Sequence, residues 1–157
     1  MADELKSIQE DLLWTEKAHF ATAASYARLH LMLGILATVA ASVAAATVIS
    51  ENSPAVAISA AVISAIASAV VTFLKPQEAE QRYLSAGRQL GALRVRVRHV
   101  IHLDLHSDQP EDPEVWRAKV KELAEDKAKI DAESPGTSNR AFRTARKKIQ
   151  AGHFDHD

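Results

Sequence analysis

Two long stretches of the chain, residues 29–50 and 54–74, contain no charged side chain. At a rise of 1.5 Å per residue, either stretch would form a helix of roughly 30 Å, which matches the hydrocarbon core of a bilayer. Only three residues separate the stretches, and Pro54 stands where the first turn of a helix accepts proline. The pattern therefore predicts two apolar helices, of which the second returns antiparallel to the first.

Two environments are compatible with such a hairpin. Both stretches are rich in alanine, with serine and threonine among them, and a soluble bundle can bury helices of this kind. A soluble helix normally keeps a charged face toward water, however, and neither stretch has one. The rest of the chain is also too polar to enclose two such helices. We therefore predict a transmembrane hairpin, with the buried soluble hairpin as the alternative.

The remaining segments show helical spacing of their apolar residues. Leu5, Ile8 and Leu12 indicate an N-terminal helix, and no proline or glycine occurs before Gly34 to separate it from the first span. Downstream of Pro76 a helix is predicted over residues 79–105, with two apolar series at seven-residue spacing. One series comprises Tyr83, Leu90, Val97 and Asp104, and the other Ala86, Leu93 and Val100.

Two further helices follow from capping signals. Asp112 with Pro113 is typical of a helix start, and we expect that helix to run to about residue 133. Ser138 is the predicted cap of a last helix, whose inward side chains are Phe142, Ala145 and Ile149. The predicted fold is all-α, with four segments. These are a cytoplasmic helix over 1–28, the hairpin over 29–75, a cytoplasmic helical region over 76–151 and a flexible tail over 152–157.

Charge is distributed in blocks around a net charge of −1. The block sums are −2 for residues 1–28, +3 for 75–106, −4 for 107–135 and +3 for 136–157. Arg28 precedes the first span and Lys75, Arg82 and Arg88 follow the second, whereas the connection carries only Glu51. Because basic residues stay on the cytoplasmic side, both termini are predicted to be cytoplasmic. The absence of cysteine fits a reducing compartment.

Small residues recur every four positions along both spans. The row in the first span consists of Gly34, Thr38, Ser42, Ala46 and Ser50, and that in the second of Ala60, Ser64, Ser68 and Thr72. Small side chains let helix backbones approach closely, and hydroxyl groups can bond across helices. The rows therefore predict either packing within the hairpin or a hydroxyl-lined lumen between protomers. Two helices cannot enclose water, so a lumen requires a homo-oligomer.

Candidate chemistry is sparse. The sequence has no glycine-rich phosphate loop, no cysteine nucleophile and no nucleophile elbow. His99, His102 and His106 fall on one helical face, which is a spacing that a metal site can use. Histidines on a helix surface ordinarily bind nothing, so we predict no metal, no cofactor and no catalytic residue. We likewise expect no enzymatic activity and no nucleic-acid partner.

The segment after the second span contains Phe73-Leu74-Lys75-Pro76, Ala79, Tyr83-Leu84-Ser85-Ala86-Gly87, Leu90 and Leu93-Arg94. With these residues it resembles the corresponding segment of SLATT proteins. Near the C-terminus, Ser134-Pro135-Gly136, Phe142 and Ala145-Arg146-Lys147-Lys148-Ile149 look like the closing helix of that family. The order of helices is also similar, and the resemblance covers nearly the whole chain.

The resemblance implies a function and brings no catalytic residues with it. SLATT proteins are membrane effectors of bacterial conflict systems, often associated with nucleotide second-messenger synthetases or SLOG-type nucleotide sensors. On activation they are thought to form pores in the inner membrane, which kills or arrests a phage-infected cell. The expectation is thus an oligomeric pore-forming effector whose synthetase or sensor is encoded separately. The alternative is a non-conducting membrane scaffold that recruits a cytosolic partner.

Overall fold

The computed structural model describes residues 2–49, 53–104 and 112–151, and all regular elements in these ranges are helical. There are five helices in the described ranges: α1 (Ala2–Ile49), α2 (Pro54–Leu74), α3 (Pro76–His99), α4 (Pro113–Glu133) and α5 (Asn139–Gln150). A π-helical segment, Val100–Asp104, extends α3. The predicted all-α class is confirmed. Ser50, Glu51, His106 and the expected flexible tail 152–157 lie outside the described residues.

The chain divides into two compact units. Residues 24–80 form the hairpin unit, which contains both uncharged apolar stretches, and residues 1–23 with 81–157 form the polar unit. α1 contributes its first part to the polar unit and its remainder to the hairpin unit, because no residue interrupts this 48-residue helix. α3 is likewise shared, with its first residues in the hairpin unit.

Prolines and side-chain caps set the starts of the later helices. Pro54, Pro76 and Pro113 are each the first residue of a helix, where proline lacks only an amide that would have no helical partner. The Asp112 carboxylate accepts a hydrogen bond from the Glu114 amide. Ser138 accepts one from the Ala141 amide at the start of α5. Both predicted caps are therefore confirmed.

Lys75 separates α2 from α3 through an unusual backbone conformation. Its φ of 43° and ψ of 54° are left-handed, a region that non-glycine residues rarely adopt. Its amide still donates to the Val71 carbonyl as in an α-helix, and α2 ends here because the left-handed backbone turns the chain off the helical path. The following proline disfavours a right-handed helical conformation at this position. The Lys75 ammonium pairs with the Glu78 carboxylate at 2.8 Å.

The polar unit has one apolar core, to which α1, α3 and α4 each contribute. Its buried members are Leu5, Leu12, Leu90, Leu93, Val97, Ile101, Trp116, Val120 and Leu123. The predicted series on α3 are confirmed up to Val97, but Ile101 is buried where Val100 is only half-buried. A π-helical turn accommodates one residue more than an α-helical turn, which moves the buried position forward by one.

The last helix differs from expectation at one side chain. Ala141 and Ala145 of α5 are buried and Ile149 is half-buried. Phe142, predicted to face inward, is 45% exposed and instead stacks on Trp14 of α1 with ring centroids 5.8 Å apart. The aromatic contact therefore lies at the margin of the polar unit and leaves the interior to the alanines.

Candidate functional site

The two helices of the hairpin unit meet along a seam with seven-residue periodicity. On α1 the buried or half-buried positions of the seam are His30, Leu33, Ala37, Ala40, Ala44 and Thr47. On α2 they are Ala57, Ala60, Ser64, Ala67 and Val71. Alternating steps of three and four residues keep one face of each helix toward the other, as in a left-handed pair. The seam is thus built largely of alanine, which permits close backbone approach.

The structure places the predicted small-residue rows in two different environments. Ala60 is 8% exposed and Ser64 is half-buried, so both belong to the seam. The other described row residues are exposed in this single chain: Gly34, Thr38, Ser42, Ala46, Ser68 and Thr72. A four-residue row drifts around a helix while a seven-residue pattern does not, so the row of the first span does not follow the seam.

Hydroxyl groups of the hairpin unit are used in two ways. Ser64 donates from its Oγ to the Ala37 carbonyl at 3.0 Å, which joins α2 to α1. Thr38, Ser42 and Thr72 instead donate to the carbonyl four residues earlier in their own helix, at 2.9 Å each. A hydroxyl that is satisfied in this way can face lipid, a second helix or water.

The outer surface of the hairpin unit is apolar. Large exposed side chains cover it, among them Leu31, Met32, Ile35, Leu36, Ile58, Val62, Ile66 and Phe73. Two helices in the described part of the chain are long and apolar enough to cross a membrane, and only 6% and 17% of their most apolar segments are buried. A soluble hairpin would bury these side chains, so the exposure favours the membrane-spanning interpretation.

Gly34 opens a groove in this surface. A Cβ atom at Gly34 would meet no atom within 4 Å, and the adjoining groove has a volume of about 360 Å³. Its walls are His30, Leu31, Ile35, Thr38 and Val39. The groove is therefore the part of the predicted row where a second helix backbone could approach α1 most closely.

The polar unit contains a buried polar row on α1 that the sequence reasoning missed. Glu16, His19 and Thr22 are 5%, 3% and 7% exposed, respectively. The Glu16 carboxylate pairs with the Arg94 Nε at 2.8 Å and the Lys17 Nζ at 2.9 Å. Counting seven residues on from Leu5 and Leu12 reaches His19, so continuing that register would have found the row.

His19 is the least satisfied member of the row. Its Nδ1 is buried and has no hydrogen-bond partner among the described residues. Burial lowers the pKa of His19 below its usual value of about 6.5, and the nearby Asp131 carboxylate opposes that shift. The imidazole lies 5.7 Å from the Tyr83 ring, whose hydroxyl donates to the Gly136 carbonyl at 2.9 Å. Tyr83 therefore links α3 to the segment that joins α4 and α5.

Close helix packing accompanies this row. A Cβ atom at Gly87 of α3 would lie 3.1 Å from the Phe20 ring, and one at Gly91 would lie 3.5 Å from the Glu16 carboxyl carbon. The Gly-x-x-x-Gly spacing thus lets α3 pack closely against the buried polar row and the Phe20 ring of α1. Four-residue glycine spacing was the signal for this approach.

The candidate metal ligands do not come together in the described part of the chain. His99 and His102 are both exposed, and His106 lies outside the described residues. Within the described ranges, no three histidine, aspartate or glutamate side chains are grouped to hold an ion.

In the described part of the chain, all regular elements are helical and two long helices with exposed apolar side chains form one hairpin, which is the architecture of a two-span membrane protein. The family model of the SMODS and SLOG-associating 2TM effector domain family 4 matches residues 1–153, and the chain belongs to this SLATT family. This confirms the resemblance seen in the sequence. SLATT is an effector domain family, and it is not a known enzyme family. The comparisons found no match among curated proteins and none among solved structures.

Proposed function

We propose that this chain is a pore-forming effector of a bacterial anti-phage system of the nucleotide-signalling, abortive-infection type. On activation, several copies would assemble in the inner membrane and disrupt it, which kills or arrests the infected cell. A nucleotide-signal synthetase or sensor encoded separately would supply the trigger. Membership of an effector family named for its association with SMODS and SLOG supports the role. The proposal includes no catalytic step and no cofactor.

The proposal that the chain forms a pore is supported by the surface of the hairpin unit. One hairpin supplies two helices, so a lumen needs several copies around an axis. The Gly34 groove and the hydroxyls of Thr38 and Ser42 are exposed on one winding face of α1. Such a face permits close contact with a neighbouring helix and tolerates water, whereas the large apolar side chains elsewhere on the hairpin favour lipid.

The proposed topology places both termini in the cytoplasm. Arg28 and Lys75 flank the hairpin on one side, and the connection between the spans has no lysine or arginine. Reporter fusions at residues 1 and 157 test this orientation. A periplasmic signal from either end would overturn it.

The experiment that tests conduction combines a membrane-potential dye with a matched pair of charge substitutions. Cells would express the chain together with its nucleotide-signal synthetase, and depolarisation is the expected result. Ser42→Glu places a charge on the proposed lumen face, while Val43→Glu places one at the same depth on another face. A charge in lipid costs about 2.5–3.5 kcal/mol on insertion scales. We therefore expect Val43→Glu to reduce insertion, and Ser42→Glu to insert and change ion selectivity.

A different outcome would support the alternative function. If the membrane potential persists at high expression with the synthetase active, the chain does not conduct. The non-conducting scaffold that recruits a cytosolic partner would then replace the pore. Equal insertion defects for Ser42→Glu and Val43→Glu would show that the small-residue row faces lipid.

A further inference from the structure

Helix α5 carries a strongly basic face. Its twelve residues include five bases and no acid. The bases are Arg140, Arg143, Arg146, Lys147 and Lys148, and every one of them is exposed. The opposite face holds the buried Ala141 and Ala145, and Phe142 stacks on Trp14. Because the apolar face is already packed within the polar unit, the basic face has a fixed direction toward the outside of that unit.

In the described chain, α3 and α4 pair some of their bases with carboxylates, whereas α5 pairs none. On α3 and α4, Arg94, Arg96 and Lys127 each pair with a carboxylate in another helix at 2.6–2.8 Å. These bases of α3 and α4 are therefore neutralised within one chain, by carboxylates of α1 and α4. None of the five bases of α5 forms an ion pair with another described residue.

Helix stability accounts for only part of this charge. Lys147 and Lys148 lie in the last turn of α5, where the helix dipole favours cations. Arg140 lies in the first turn, where the dipole disfavours a cation, and that turn contains no acid. Like charges at four-residue spacing, such as Arg143 and Lys147, also destabilise an isolated helix. An external anion would stabilise the whole face, including the bases that the helix itself disfavours.

We propose that the basic face of α5 binds the anionic phosphate head groups of the membrane that the hairpin enters. Guanidinium groups bind phosphate oxygens in bidentate fashion, and bases near an anionic leaflet are each worth about a fivefold gain in partitioning. The hairpin is covalently joined to α5, so a phosphate-bearing surface is always available to it. With its apolar face occupied, α5 adsorbs by charge and does not insert. The proposal needs the hairpin to lie in a membrane and does not depend on conduction.

The test uses the full chain in lipid nanodiscs with one fluorescent label. The sequence has no cysteine, so Gln150→Cys creates a unique site. Gln150 is exposed and follows Arg146 by four residues and Arg143 by seven, which places it on the basic face. A phosphatidylcholine that carries a nitroxide on its head group quenches labels at the head-group level. Discs of phosphatidylcholine alone are compared with discs that also contain phosphatidylglycerol.

Matched variants identify the charges responsible. Arg143→Gln with Lys147→Gln removes two bases of α5 at four-residue spacing. Arg117→Gln with Lys121→Gln removes the same residue types at the same spacing on α4, where both are exposed but ion-paired. We expect stronger quenching in phosphatidylglycerol discs, a loss of about 25-fold in adsorption for the α5 variant and little change for the α4 variant. Arg143→Lys with Lys147→Arg should retain adsorption.

Two further measurements vary the salt concentration and the number of chains per disc. Because the Debye length falls from about 10 Å at 0.1 M to about 3 Å at 1 M salt, the phosphatidylglycerol effect should disappear at high salt. Equal quenching in both lipids, or an equal effect of the α4 and α5 variants, would overturn the proposal. Quenching that depends on the number of chains per disc would assign the face to a second copy instead. Depolarisation in cells is a separate readout, so pore failure and α5 failure are distinguishable.

Discussion

The hairpin unit and the polar unit are both held together by helix seams, but their side chains are distributed in opposite ways. The polar unit buries Leu12, Leu90 and Trp116 and exposes charged side chains, whereas the hairpin unit buries alanines and exposes Leu31 and Ile58. In water, burial of large apolar side chains drives packing. In lipid that driving force is absent, so small side chains and close backbone contact take its place. The same geometry of helix packing is therefore suited to water in the polar unit and to lipid in the hairpin unit.

Hydrogen bonds and ion pairs follow the same division. In the polar unit, Arg96 of α3 bridges Glu122 and Asp126 of α4, and burial of Lys127 is outweighed by Asp11 and Asp131, which raise its pKa. In the hairpin unit, a hydrogen bond crosses the seam from the Ser64 hydroxyl to the Ala37 carbonyl. Exposed ion pairs contribute about 0–1 kcal/mol each in water, but unpaired charge in lipid is costly, so the hairpin uses a neutral bond.

The largest expected effect comes from making the same truncation in both units. Leu12→Ala removes a fully buried side chain and should destabilise the polar unit by about 2–5 kcal/mol. Leu31→Ala is the control, because Leu31 is 61% exposed and its truncation should cost less than about 0.5 kcal/mol. Thermal unfolding of the detergent-solubilised chain measures both. Similar losses for the two variants would contradict the division between the units.

Enlarging a seam residue should have the next largest effect. Ser64→Leu places a bulky side chain between α1 and α2, and overpacking of this kind costs about 1–3 kcal/mol. Ser42→Leu lies on the exposed row and should leave the hairpin intact while disturbing contacts with other copies. Thermal unfolding reports the first effect and size-exclusion chromatography the second. Unchanged oligomer profiles for both variants would mean that the rows are not at contacts between protomers.

A pH-dependent effect should be confined to the polar unit. Because burial lowers the pKa of His19, the unfolded chain binds more protons than the folded one as the pH falls through about 6.5. Stability should therefore be greater at pH 7.5 than at pH 5.5. His19→Gln should reduce this difference, and His99→Gln, at an exposed position, is the matched substitution. Melting temperatures at the two pH values measure it. An unaltered difference in His19→Gln would assign the dependence to other groups.

The smallest effect should come from deleting one hydroxyl. Ser64→Ala keeps the small side chain and removes the bond to the Ala37 carbonyl, and hydrogen bonds between membrane helices average about 0.6 kcal/mol. Thr72→Ala is the comparison, because its hydroxyl bonds within its own helix. Equal stability of the two variants in equilibrium unfolding would show that the bond across the seam adds nothing.

Local sequence signals determined the elements of this protein. The uncharged stretches defined both apolar helices, because a charge is costly in lipid and its absence over about 20 residues is rare otherwise. Pro54, Asp112 and Ser138 marked helix starts through their own backbone chemistry. The seven-residue series on α3 identified its buried face up to Val97, since helical periodicity fixes which residues share a face. Family membership was also readable from short motifs.

Only the tertiary structure decided which faces are used. The four-residue row through Gly34 and Ser42 was visible in the sequence, but the seam runs through Ala37 and Ala40, because alanine lies on every face of these helices. The burial of Glu16 and His19 depends on α3 approaching closely at Gly87 and Gly91, a contact that no local pattern on α1 reports. The sequence also left open which bases pair with which acids, because any basic block could pair with any acidic block until the helices are packed. That packing neutralises bases of α3 and α4 and leaves those of α5 unpaired within the described chain.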